Sequence, residues 1–319
     1  MKFTFWGEQA FTETDLNAHP DALAFAGALS FLRRPYRRDL TGVDVAVLGV
    51  PFDIATSGRP GARFGPRGVR AASAMLAWDP IVFGWDFHPV DRLAIVDHGD
   101  VHFEIGKPEA IPAQIEAHAR HIVDAGARVL GIGGDHFVSY PLLRAHHARY
   151  GKLSLIHFDA HPDTWPERSG GLIDHGSMFW RAVREGLVDP QRSAQIGIRT
   201  WTPDTLGFNV LDARRVHRLG PEAIAAEVRR IVGDHPAYLT FDIDCLDPSY
   251  APGTGTPSVG GLTSHQALEI LHGLAGLDIV GADVVEVAPP YDVGEITALA
   301  GATLALHSLC LFAAGPRER

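Results

Sequence analysis

Three short apolar runs constrain this chain more than any other feature, because each one ends in side chains suited to binding a metal. Leu153-Ser-Leu-Ile156 leads into His157-Phe-Asp159-Ala-His161-Pro-Asp163. Ala237-Tyr-Leu-Thr-Phe241 leads into Asp242-Ile-Asp244, and Arg128-Val-Leu-Gly-Ile132 into Gly133-Gly-Asp135-His136. Such runs predict buried strands, and residues two apart in a strand share a face. Asp159 and His161 then point the same way, with Asp163 joining from the next loop, and Asp242 and Asp244 repeat the spacing. Further strands are read over 45–50, 93–96, 194–198 and 279–287. Helices are read over 66–76, 110–125, 141–150, 175–185, 221–232 and 264–274, with a last one near the C-terminus. Strands alternating with helices predict an α/β fold, a three-layer α/β/α sandwich on a mainly parallel sheet. Ligands of such sheets bind at the carboxyl ends of the strands, where all these acids and histidines lie. Residues 1–40 read as a polar, irregular arm with one helix near 21–32, and 41–319 as a single domain without repeats or linkers.

Composition removes several classes. Of the 319 residues, 46% are hydrophobic and 21% charged, enough for a full soluble core. A net charge of −10 argues against nucleic acid as a partner. Only Cys245 and Cys310 occur, with no CxxC, so neither a disulfide framework nor a structural Cys-zinc site is expected, and a reducing cytoplasm fits. The N-terminal stretch does not read as a signal peptide. The segment 296–314 carries no Asp, Glu, Lys or Arg and is long enough to span a bilayer. Its Thr297, Gly301, Thr303, His307 and Ser308 favour a buried or subunit-interface helix instead, and no membrane partner is expected. The Gly/Pro/Arg loop over 56–66 lacks the GK[ST] ending of a P-loop and reads as packing over the strand ends.

His136, Asp159, His161, Asp163, Asp242 and Asp244 are too many ligands for one zinc, which takes about four. They suit two ions sharing bridging carboxylates, and the oxygen-rich, thiolate-free set favours Mn²⁺. Such a pair generates hydroxide near neutral pH, and the residual negative charge suits a cationic substrate. Around them, Asp135 reads as a residue that orients a ligand or bonds backbone. Asp97 and Asp100 read as turn residues, and His157 as a packed histidine beneath the site. Cys245 reads as a small buried residue, and His146-His147 as a solvated pair on a surface helix. His175 is either a proton shuttle at a helix start or a solvated residue there. Glu286 ends another apolar strand and is costly when buried unless paired, either with a bidentate guanidinium or with an Arg of this chain.

Together, Gly133-Gly-Asp-His136, Asp159-Ala-His-Pro-Asp163, Asp174-His-Gly176, Phe241-Asp-Ile-Asp-Cys-Leu-Asp-Pro248, Gly253-Thr-Gly-Thr-Pro257 and Glu286-Val-Ala-Pro-Pro290 resemble the signatures of the ureohydrolase (arginase and agmatinase) family. The match runs from about Val45 to the C-terminal helix, in order, and Asp174-His-Gly-Ser-Met-Phe179 is most similar to the agmatinase branch. The resemblance implies an arginase-like fold with two Mn²⁺ per subunit, hydrolysing a guanidinium to urea and an amine. It implies one ion held by His136, Asp159, Asp163 and Asp242, and the other by Asp159, His161, Asp242 and Asp244. A bridging hydroxide would attack the guanidinium carbon. Glu286 would orient the guanidinium, Asp163 would pass a proton to the leaving amine, and His175 would shuttle protons with solvent. The partner implied is a small cationic guanidino substrate, and the assembly a homotrimer or homohexamer. The loop before His175 lacks the Asn and repeated Ser expected for arginine. Glu167 there suits the ammonium of agmatine, and Arg168 the carboxylate of 4-guanidinobutyrate or 3-guanidinopropionate. The resemblance favours agmatine, with putrescine as the second product. A one-zinc deacetylase and a catalytically silent relative are the other readings, and the complete ligand set speaks against both.

Overall fold

A computed structural model describes residues 9–20, 23–167 and 173–316. Eight strands form one sheet: β1 (Val45–Gly49), β2 (Ile95–Asp100), β3 (Arg128–Ile132), β4 (Ser154–Phe158), β5 (Ala194–Ile196), β6 (Asn209–Leu211), β7 (Ala237–Asp242) and β8 (Ile279–Val285). Their order is β2-β1-β3-β8-β7-β4-β5-β6, and every pairing is parallel. The strands are buried on both faces, so they read as continuous apolar runs. Alternation sends Val45 and Val47 into one core and Ala46 and Leu48 into the other.

The helices are α1 (Gln9–Thr12), α2 (Gly65–Ser73), α3 (Ile111–Asp124), α4 (Ser139–Tyr150), α5 (Met178–Arg184), α6 (Ala213–Leu219), α7 (Pro221–Val232), α8 (Ser264–Gly273) and α9 (Ile296–Ala314). One core receives α2, α6, α7, α8 and α9, and the other α3, α4 and α5, which makes the three layers. Proline in the first turn starts α2, α3 and α7, where a missing N–H costs nothing. A capping box between Thr263 and Gln266 starts α8. The apolar α9 lies against α2, α8 and β8; by length and composition it passes for a membrane span, yet 78% of it is buried inside the protein.

From β3 the chain jumps past two strand positions to β4, moves outward through β5 and β6, and returns to fill the gap with β7 and β8. The ends are level: Ile132 pairs with Val284, Phe241 also with Val284, and Phe158 with Phe241. Whatever follows β3, β8, β7 and β4 therefore meets at one sheet edge, the topological switch point where such sheets bind ligands.

Three expectations need correction. No helix forms over the described part of 21–32. The Phe31 and Leu32 amides donate to Asp97 Oδ2 (2.7 Å) and Ser73 Oγ (2.8 Å), so a short 3₁₀ turn at Phe31–Arg33 replaces it, with Phe31 and Leu32 in the core. His146 is fully buried rather than solvated. It fills the space left by Gly281, where a Cβ would lie 2.2 Å from its Nε2. Asp97 and Asp100 are not simple turn residues, since both pair with buried Arg70.

Candidate metal centre

His136 opens a 3₁₀ turn just beyond β3. Asp135 caps it, accepting from Phe137 N at 3.1 Å and, with its other oxygen, from Ala55 N at 2.7 Å. His136 Nδ1 thereby faces Asp159 Oδ2 at 3.0 Å and Asp163 Oδ2 and Asp242 Oδ2 at 3.2 Å each. His161 Nδ1 faces Asp159 Oδ1 at 3.3 Å and Asp244 Oδ2 at 3.1 Å. The six residues singled out in the sequence thus converge as two imidazole-centred groups, with Asp159 turning one oxygen to each. Behind Asp159, His157 Nδ1 accepts from Gln195 Nε2 (3.1 Å), so its Nε2–H donates to Asp159 Oδ2 (2.7 Å).

His136 Nε2–H donates to Thr240 Oγ1 at 2.8 Å, and Thr240 donates on to Asp283 Oδ1 at 2.6 Å. Asp283 is held from its other oxygen by Tyr238 and Ser139. With Nε2 so committed, Nδ1 is the open position, and it is buried without a hydrogen-bond partner among the described residues. A lone pair aimed at three carboxylate oxygens is satisfied by a cation between them, and the outer partner of an imidazole fixes its metal-binding tautomer. Protons compete for the same place. Burial lowers the affinity of His136 for a proton, but contact with Asp159, Asp163 and Asp242 raises it well above the ordinary value. His161, likewise opposed by burial, is pushed up to about 12 by Asp244 and Asp159. Burial and repulsion from Asp244 and Asp159 push Asp242 well above the usual carboxylate range. Burial and repulsion from Asp159 likewise raise Asp163 and Asp244. Four buried carboxylates at this density fit divalent cations, which would take the place of those protons.

Glu286 follows β8 in a left-handed backbone conformation (φ +62°), as Asp163 does after β4 (φ +52°), and both side chains are buried. Non-glycine residues held there mark sites where the surroundings impose strain. Glu286 Oε1 accepts from His136 N (2.9 Å) and from His175 Nδ1–H (2.8 Å), while Oε2 is buried with no partner among the described residues. Gly255 lies beside that oxygen, where a Cβ would come within 3.3 Å. His175 sits in the turn before α5 rather than on the helix. Ser57 donates its backbone N–H to His175 Nε2 at 3.0 Å, with Ser57 Oγ at 2.7 Å. Burial opposes charge on His175 and the bond to Glu286 favours it, leaving the group at about 9. The Ser57 amide, which needs a lone pair on Nε2, pulls the other way.

A cavity of about 460 Å³ opens over these groups, lined by Ser57, His161, Asp163, His175, Asp242 and Thr256 at its base. Glu167 does not line it. Its Oε2 faces Arg181 at 3.3 Å, so its charge is directed into the protein. Arg168 lies outside the described residues. Sequence reasoning missed Ser57, Thr240, Asp283 and Gln195. A signal existed for Asp283, since an acid inside the apolar run Ile279–Val285 needs buried partners, and its register partner on β7 is Thr240.

The Arginase family profile matches residues 43–310. Two relatives named Agmatinase are each 53% identical, from Chromobacterium violaceum (307 residues, 96% of this chain and 95% of that one) and Edwardsiella ictaluri (94% and 98%). A crystal structure described as a hypothetical agmatinase from Burkholderia thailandensis superposes with TM-score 0.95 at 53% identity, covering 97% of this chain and 98% of that one. The chain belongs to the arginase family. Proclavaminate amidino hydrolase from Streptomyces clavuligerus, at 36% identity and TM-score 0.88 (92% and 99% covered), has a similar fold. In this arginase-family chain the matched segment holds all eight strands and all six clustered residues, and it ends inside α9.

Proposed function

We propose that the protein is a dimanganese ureohydrolase that cleaves agmatine to putrescine and urea. The observation that carries this is the buried, unpartnered Oε2 of Glu286 beside a six-residue cation site. A guanidinium offers N–H donors in a planar fork that suits such a carboxylate. The 53% identity to relatives named Agmatinase, over nearly the whole of each chain, supports agmatine over other guanidino compounds.

His136, Asp159, Asp163 and Asp242 would hold one ion, and Asp159, His161, Asp242 and Asp244 the other. The oxygen-rich donor set favours Mn²⁺. When bound, the two ions lower the pKa of water so that hydroxide is available near neutral pH. The protein's own groups do the rest. Glu286 orients the guanidinium through Oε2. His175 keeps its Nδ1–H on Glu286 Oε1 and turns the Nε2 lone pair toward Ser57 and the cavity, so Nε2 is the atom through which it takes up and passes on protons. Asp163, which lines the same cavity, serves the leaving amine. The reading includes a cytoplasmic homotrimer or homohexamer, and exposed Met75, Trp78 and Phe83 are apolar surface that an assembly would cover.

The test is urea release from Mn²⁺-loaded protein with agmatine, 4-guanidinobutyrate and arginine compared side by side. Agmatine should dominate in kcat/KM. A preference for guanidinobutyrate would overturn the substrate while leaving the cation site in place.

A further inference from the structure

The cavity has an outer end that the cation site and Glu286 do not explain. Beyond His175 it is lined by Asp174, Trp165, Pro166, Thr200 and Trp201. Asp174 is half-buried. Its Oδ1 accepts from Gly176 N at 2.9 Å, which fixes the carboxylate against the turn that carries His175. The Trp165 amide donates to Gly176 O at 3.0 Å, so the two walls are tied together. The Trp165 and Trp201 rings pack edge to face, 5.3 Å apart at 66°, and Trp201 remains 71% exposed at the mouth. Among the described residues, Asp174 is the one lining carboxylate outside the cation cluster, and no Lys or Arg lines the cavity. An acid and an indole lining the same cavity end offer a primary ammonium a charge-assisted hydrogen bond and a cation–π contact. Among the described residues, a carboxylate tail would face Asp174 with no Lys or Arg to pair with it.

We propose that Asp174 and Trp201 form the subsite for the ammonium end of the substrate and so set the preference for an aminoalkylguanidine over a guanidino acid. This rests on the agmatine reading above, and it replaces Glu167, which faces Arg181 instead.

The test compares agmatine with butylguanidine, which keeps the guanidinium and lacks the ammonium, in the Mn²⁺-loaded protein and in Asp174→Asn. The agmatine-to-butylguanidine ratio of kcat/KM should fall about 10- to 100-fold in the variant, the size of one charge-assisted hydrogen bond. Most of that change should appear in KM, and Asp174→Glu should recover part of it. Where butylguanidine binds without turnover, its Ki against agmatine supplies the same ratio. Trp201→Ala, a change at an exposed ring, should lower the ratio about 3- to 10-fold. An equal loss on both compounds would overturn the proposal and make Asp174 a support for His175. Absence of agmatine hydrolysis by the unmutated protein would overturn the function itself, which is a different result.

Discussion

Replacing Glu286 with Gln isolates the guanidinium contact from everything else at the site. The carboxylate already has two jobs at Oε1, accepting from His136 N and from His175 Nδ1–H at 2.9 and 2.8 Å. A Gln carbonyl oxygen keeps both, so the turn that carries His136 should stand. The change falls on Oε2, buried and open, which becomes an NH₂ aimed at the substrate's own N–H donors. The loss is a hydrogen bond between charged groups, about 1.5–3 kcal/mol, together with a buried donor left facing donors, about 1–3 kcal/mol. A total of about 2.5–6 kcal/mol corresponds to about 10²- to 10⁴-fold in kcat/KM. Urea release measured at matched metal content checks this. A variant within about threefold of the parent, with its metal retained, would refute the reasoning, because Glu286 would then not touch the reacting group.

Asp159→Ala should lose bound metal and activity together, since Asp159 turns an oxygen to each imidazole; tightly held metal at the parental stoichiometry would count against a shared ligand. His175→Ala should keep its metal and lose about 10²- to 10⁴-fold in turnover, the span of acid–base catalysis. The folded-state value of His175, about 9, lies above its ordinary 6.5. The stability it contributes is therefore full below pH 6.5 and lost as pH rises through about 9. Denaturant titrations of metal-free protein across that window should show a shallower decline in the Ala variant, and identical slopes would argue against a charged His175. Gly134→Ala should abolish the site, because the added Cβ would lie 1.6 Å from Phe52 O; normal metal binding and a normal melting temperature in that variant would contradict the packing described.

Much of this site was legible in the sequence because three apolar runs that read as buried strands are each followed at once by acids and histidines. Period-two alternation is not what aligns them, since β4 ends at Phe158 and β7 at Asp242, and Asp159, His161 and Asp244 are set by the turns just beyond. The strand order was not legible. That β8 lies between β3 and β7 depends on pairing across more than a hundred residues, and only the level ends of those strands bring Glu286 beside His136. Ser57 gave no signal of its own, since its Gly/Pro/Arg loop read only as packing over the strand ends and its contact with His175 is made across the fold. His146 misled because it was read with His147 as one surface pair, although Leu142 and Leu143 share its buried face of α4, and the gap at Gly281 that accepts it belongs to a distant strand. Glu167 misled in a similar way, as loop composition says nothing about which way a side chain turns, and Arg181 on α5 takes it. The short strand β6 and helix α6 escaped notice because three residues and seven residues are too few to show a period.

The most direct test of the central claim is a metal count on Mn²⁺-loaded, gel-filtered protein by elemental analysis, made alongside His161→Ala. The account predicts two Mn²⁺ per chain in the parent and about one in the variant, because His136 with Asp159, Asp163 and Asp242 would still hold its ion. One metal per chain in the parent, unchanged by His161→Ala, would contradict the two-ion centre and leave a mononuclear hydrolase in its place.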